Sequence, residues 1–155
     1  MAITGDARWL RKGDAARLED QGGLSGLLGI QTVEVGDGYA RVIATHKPHL
    51  TSGGRILHGA FYAVITDQAA AAACATVAKE GEGFSTIEYK VNLFRPITGG
   101  SVTAEARVLH KGQKTMVTNV EVRDEGKRLC AFKAVCVYGY YLRGFAWRCL
   151  TSKGY

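Results

Sequence analysis

"RILHGAFYAVITDQAAAAACATVA" (Arg55–Ala78) is the stretch on which the reading of this chain turns. Ala, the strongest helix former, recurs through it and no Pro interrupts it. Composition predicts one helix from about Leu57 to Lys79, ~30 Å long at ~1.5 Å per residue, with Gly81 and Gly83 as its stop. Its side chains are apolar on nearly every side, so it is expected to be enclosed all round rather than covered along one stripe. Asp67 stands in the middle of it. The plain reading is a polar residue satisfied by a neighbouring backbone group. Yet burying an ionised carboxylate is costly unless it is paired or hydrogen-bonded. A carboxylate retained where Ala or Leu would serve points to a base or a nucleophile.

The segments on either side are read as strands. "IQTVEV" (Ile30–Val35) and "YARVIAT" (Tyr39–Thr45) alternate around "GDG" (Gly36–Gly38), a hairpin signal. A loop with Pro48, Gly53 and Gly54 leads into the helix. After it come "FSTIEYKVNLF" (Phe84–Phe94), "SVTAEARVLH" (Ser101–His110), "TMVTNVEVRD" (Thr115–Asp124) and "RLCAFKAVCVYGYYL" (Arg128–Leu142), separated by Gly-containing turns. Two strands, one long helix and four strands predict an α+β domain, an antiparallel sheet wrapped around the helix. The domain is placed at residues 24–140. Residues 1–23 form an N-terminal extension with a short helix over Asp14–Gln21, and residues 141–155 a C-terminal tail.

The rest of the composition narrows the partners. The chain of 155 residues is 46% hydrophobic and 22% charged, values of an ordinary globular domain. Lys and Arg outnumber Asp and Glu by 20 to 14, a net charge of +6 that favours anionic ligands. The positive residues are scattered, which argues against a nucleic-acid arm. The N-terminus mixes charges and lacks the apolar run of a secretory signal. Asp67 interrupts the one apolar stretch that approaches a membrane span. Cys74, Cys130, Cys136 and Cys149 form no Cys-x-x-Cys pair and no zinc spacing with His, so they read as free thiols. The expectation is a cytoplasmic protein with no metal, no cofactor, no nucleic acid and no membrane.

A second feature precedes the helix. "SGGRILHGA" (Ser52–Ala60) sets a His–Gly pair at its start. The first N–H groups of a helix lack intrahelical partners, and the helix dipole adds positive potential there, so the turn suits an anion or a developing oxyanion. A Gly-rich cap is the plainer reading. Gly59 and Asp67 are eight residues apart, or ~12 Å along the axis. One straight helix therefore cannot easily offer both to one carbonyl. Two antiparallel helices from two subunits can, and the arithmetic favours a homodimer with active sites at the subunit interface.

In combination, "LHGAFYAVITDQAAAAA" and "STIEYKVNLFRPITGGSVTAEARVLHKGQKTMVTNVEVRDEGKRLCAFKAVCVY" resemble the hotdog-fold acyl-CoA thioesterases, in particular the PaaI-like branch of phenylacetic acid degradation. The resemblance runs from about Leu24 to Tyr138. It implies metal-free hydrolysis of an acyl- or aryl-CoA thioester by dimers that commonly pair into tetramers. By position, Asp67 would be the catalytic carboxylate. Gly59 would donate its N–H to the thioester oxygen, and His58 would shape that turn. A hydroxyl on the next strand would help position water, with Thr86 ranked ahead of Ser85.

The chain departs from the family pattern at three places. Ser52 stands where an Asn is usual, Ala60 replaces a second Gly, and Arg55 occupies another Gly position. Arg95, Lys111 and Lys114, at strand ends, are candidate contacts for the CoA phosphates. Phe61, Tyr62, Phe84 and Tyr89 would line an aryl pocket or fill the core. Two rivals stay open at this level: a hydratase or dehydratase on the same fold, and a protein that binds acyl-CoA without turnover.

Overall fold

The computed structural model describes residues 23–79 and 83–141, with residues 132–141 described by backbone alone. The helix at Asp14–Gln21, the stop at Gly81, residues 1–22 and 142–155, the Cys136 side chain and Cys149 lie outside the described residues. Helix α1 (Gly23–Leu28) comes first, followed by β1 (Gln31–Gly36) and β2 (Tyr39–Thr45). A short ribbon, β3 (Thr51–Ser52) and β4 (Ile56–Leu57), leads to helix α2 (Gly59–Val77). Strands β5 (Gly83–Leu93), β6 (Ser101–Lys111), β7 (Thr115–Asp124) and β8 (Leu129–Tyr141) complete the described residues. The six long strands form one antiparallel sheet in the order β1-β2-β6-β7-β8-β5, curled around α2.

Strand alternation builds the core. Ala40 and Val42 of β2, Val102 and Ala104 of β6, and Met116 and Val120 of β7 are buried on the face that packs on α2. Opposite them α2 buries Ile65, Ala69, Ala72 and Ala73, small residues that let helix and sheet approach closely. By length and composition α2 would suit a membrane span, with a mean hydropathy of 1.3 over 18 of its residues, but 56% of that window is buried, as in the core helix of a domain.

Three details of the helix differ from expectation. It begins at Gly59, because His58 is its N-cap with extended backbone. It ends at Val77 without glycine, and Gly83 belongs to β5. Ala78 turns extended there, while the Lys111 ammonium donates to the Val77 carbonyl and Thr76 Oγ1 accepts the Gly38 N–H at 2.8 Å. Nor is the helix enclosed all round. Ala60 is exposed, and Ala63, Val64, Asp67, Gln68 and Ala71 are only partly buried. Their spacing of i, i+3, i+4, i+7, i+8 and i+11 marks one face. Asp67 lies on that stripe, half-buried rather than sealed in the core.

Among the described residues the one buried acid is Asp124, in the β7–β8 hairpin and 7% exposed. Its Oδ1 accepts the Arg128 backbone N–H at 2.9 Å, and its Oδ2 accepts from Arg128 Nε at 2.7 Å. Burial opposes ionisation of this carboxyl. The hydrogen bonds and positive charge of Arg128 outweigh it and hold the pKa below the usual value. A depressed folded pKa stabilises the protein fully above the unfolded carboxylate pKa of ~3.9 and loses that contribution as pH falls through the folded value. Asp124→Asn should therefore be less stable than wild type to urea at neutral pH. The gap should close as the pH of the unfolding series is lowered below about 4.

Candidate active site

The N-terminal turn of α2 is fixed from three sides. His58 N–H donates to Leu50 O at 2.8 Å, Leu57 N–H donates to Ile97 O at 2.9 Å, and His58 O accepts the Phe61 N–H at 2.9 Å. The His58 ring closes the cap: Nδ1 accepts the Ala60 N–H at 3.0 Å, which assigns the ring proton to Nε2. Of the first two helical N–H groups, Ala60's is thus taken. The Gly59 N–H meets no acceptor among the described residues. It is the open donor at the positive end of the helix dipole.

Gly59 lines a shallow cavity of about 390 Å³. Ser52 and Arg95 supply polar groups to it, and Leu57, Tyr62 and Leu93 apolar ones. Exposed Arg95 supplies positive charge to the cavity, which favours an anionic ligand. Of the four aromatic candidates only Tyr62 lines the cavity. Phe61 and Phe84 are core residues, and Tyr89 is exposed on β5.

Asp67 lies two turns further along, ~12 Å from Gly59 at ~1.5 Å per residue. Thr86 Oγ1 on β5 donates to Asp67 Oδ1 at 2.8 Å, which fixes the carboxylate's orientation. Alternation along β5 sends Ser85 to the other side of the strand. The structure thus brings together two groups of the sequence-derived residues, Gly59 with His58, Ser52 and Arg95, and Asp67 with Thr86. It does not join these groups within one chain.

The remaining cations lie elsewhere. Lys111 is engaged at the C-terminal end of α2, where a positive charge complements the helix dipole. Lys114 is exposed in the adjoining β6–β7 turn. Both are at the end of α2 opposite Arg95. Cys74 and Cys130 are buried thiols, and Cys130 Sγ donates to Arg128 O at 3.2 Å. Among the described residues no three His, Cys, Asp or Glu side chains cluster as metal ligands would. The sequence reading did not single out Gln68, whose Oε1 accepts from Ser25 Oγ at 2.9 Å and ties α1 to the helix beside Asp67. Only the tertiary fold reveals that contact.

Residues 54–131, which hold β4, α2 and the sheet from β5 to the start of β8, match the model of the thioesterase superfamily. The chain belongs to that superfamily. This thioesterase is 31% identical over 109 residues to the 1,4-dihydroxy-2-naphthoyl-CoA hydrolase of Listeria monocytogenes, covering 69% of this chain and 87% of that one. It is 28% identical over 107 residues to the acyl-coenzyme A thioesterase PaaI of Escherichia coli, covering 67% and 73% of the two chains. The solved PaaI structure superposes with a TM-score of 0.69 at 24% identity, over 83% of this chain and 88% of that one. Conserved protein PA5202 of Pseudomonas aeruginosa superposes with a TM-score of 0.71 at 32% identity, over 76% and 92%. The thioesterase has the hotdog fold, stands in the PaaI-like branch and is a thioester hydrolase.

Proposed function

We propose that this thioesterase hydrolyses acyl- or aryl-CoA to the free acid and CoA, at sites shared between two subunits. The observation that carries the reading is the separation of Gly59 and Asp67 on one face of one helix. A reacting carbonyl needs its oxyanion donor and its attacking group within about 3 Å of the reacting atoms. A single α2 holds them ~12 Å apart. Two α2 helices laid antiparallel, stripe against stripe, set Gly59 of each beside Asp67 of the other. Small residues on the stripe permit that approach. β5 supports the arrangement, since among the described residues it pairs with β8 on one side only, and it exposes Ile87, Tyr89 and Leu93, with exposed Phe94 just beyond its end. An open apolar edge of this kind is a template for a second strand. Such dimers would pair again if the enzyme is a tetramer.

In this site the Gly59 N–H receives the thioester oxygen as it gains negative charge, while His58 keeps the donor turn in shape. Asp67 acts in one of two ways. As general base it takes a proton from water, whose oxygen adds to the carbonyl carbon. As nucleophile it attacks that carbon itself, and water then hydrolyses the anhydride. In both, the C–S bond breaks and CoA leaves as a thiolate that takes up a proton. Thr86 orients the carboxylate. Ser52 faces the substrate in the cavity, and Arg95 meets the anionic part of CoA there. Ser85, Lys111 and Lys114 are left as peripheral contacts of the substrate. Two relatives named as CoA hydrolases support CoA as the leaving group. The His58 cap favours hydrolysis over hydration, because its Nδ1 is already engaged by the helix.

The test is thiol release from a panel of short, medium, long-chain and aryl CoA thioesters, with the oligomeric state followed by sedimentation. Turnover of one class by a dimer or tetramer is expected. Absence of thiol release from every ester, with CoA-ester binding intact, would return the protein to the binding reading.

A further inference from the structure

We infer that Tyr62 is a positioning residue of the thioester site, its hydroxyl holding the Phe94–Ile97 segment, and Arg95 with it, against the first turn of α2. The inference rests on the proposed site and names the residue that shapes its cavity. Tyr62 follows Gly59 by three positions, so both lie on the first turn. Its side chain lines the cavity, yet the residue is 2% exposed. The hydroxyl has two partners on the connection after β5. It accepts the buried Ile97 N–H at 3.2 Å and donates to Arg95 O at 3.4 Å. Between those groups stands Pro96, which has no N–H to offer.

Among the described residues the same connection is hydrogen-bonded elsewhere through backbone groups. Phe94 N–H and Arg95 N–H donate to Cys130 O at 2.9 and 3.2 Å, and Ile97 O accepts the Leu57 N–H. Those bonds tie it to β8 and to β4. The Tyr62 hydroxyl is the side-chain tie from the helix that carries Gly59. A Phe would fill the same core volume, so packing does not explain the oxygen. A hydroxyl in so dry a place is costly unless bonded. Burial also raises its pKa, which keeps the phenol neutral and able to donate and accept at once. Leu93, at the end of β5, comes within 3.4 Å of where a Gly59 Cβ would stand, so a small shift of this wall changes access to the Gly59 N–H.

Tyr62→Phe removes one atom and frees the Arg95 carbonyl and the Ile97 N–H. The expected result is a rise of about tenfold in KM for the best CoA thioester, with kcat within about threefold of wild type. Calorimetric affinity for free CoA should weaken by a similar factor, a readout that stands even if no thioester is turned over. Arg95→Ala, at an exposed position, should raise KM comparably, and the double variant should be no worse than about either single one, because both act through the same group. A Tyr62→Phe protein with unchanged KM and unchanged CoA affinity overturns the inference. So does strict additivity with Arg95→Ala. Should Tyr62→Phe fail to fold by circular dichroism, Arg95→Ala decides alone, and an unchanged KM there overturns the inference equally.

Discussion

Gly59→Pro is expected to lower kcat by about 10²–10³ and leave the fold in place. The substitution removes the group under test and little else. Gly59 is the first residue of α2, the helical position at which Pro is most readily accepted. His58 must then avoid helical backbone, and it already does so, with φ −61° and ψ 136°. A Cβ at Gly59 meets only the end of the Leu93 side chain, at 3.4 Å. Among the described residues the lost N–H has no protein acceptor, so folding sacrifices no hydrogen bond. Gly59→Ala is the control, since it adds the same Cβ and keeps the N–H. Its kcat should stay within a few fold of wild type. A folded Gly59→Pro enzyme that turns over like wild type would place the oxyanion donor elsewhere.

That such a surgical variant can be named shows how much of the site was legible in the sequence. The helix start, the His–Gly pair and the carboxylate eight residues on are local features, fixed by chain spacing. The sheet was equally legible, because β2, β7 and the first half of β6, up to Ala106, each bury one face and so alternate. Other features were hidden for definite reasons. An Ala-rich helix has the same hydropathy on the face that meets the sheet as on the stripe left open, so composition could not reveal that stripe. Helix α1 is six residues long, too short for periodicity, and a Ser25–Gln68 bond ties it to α2. The ranking of Thr86 over Ser85 depends on which way β5 faces, and that facing shows in the Thr86–Asp67 hydrogen bond. Lys111 read as a free cation because its partner, the Val77 carbonyl, is 34 residues away. The hydroxyl of Tyr62 was lost among core aromatics until its two backbone partners came into view.

Asp67→Asn is expected to cost about 10²–10⁴ in kcat, as the loss of an acid–base or nucleophilic group does. Asn keeps the size of the side chain and an oxygen that can still accept from Thr86, so circular dichroism and melting temperature should stay close to wild type. The more searching result comes from mixing this variant with Gly59→Pro, unfolding the two together and refolding them. If each site takes Gly59 from one subunit and Asp67 from the other, every mixed dimer has one site with both defects and one with neither. Random pairing makes about half of the dimers mixed, so the mixture should recover about a quarter of wild-type activity from two nearly inactive proteins. If instead one chain supplied both groups to its own site, each site in a mixed dimer would carry one defect, and the mixture would stay as inactive as its parts. The two outcomes differ by well over tenfold, and no property of either variant alone can imitate the recovery. The ~12 Å between two residues of one helix thereby becomes a statement about which subunit attacks and which one receives the charge.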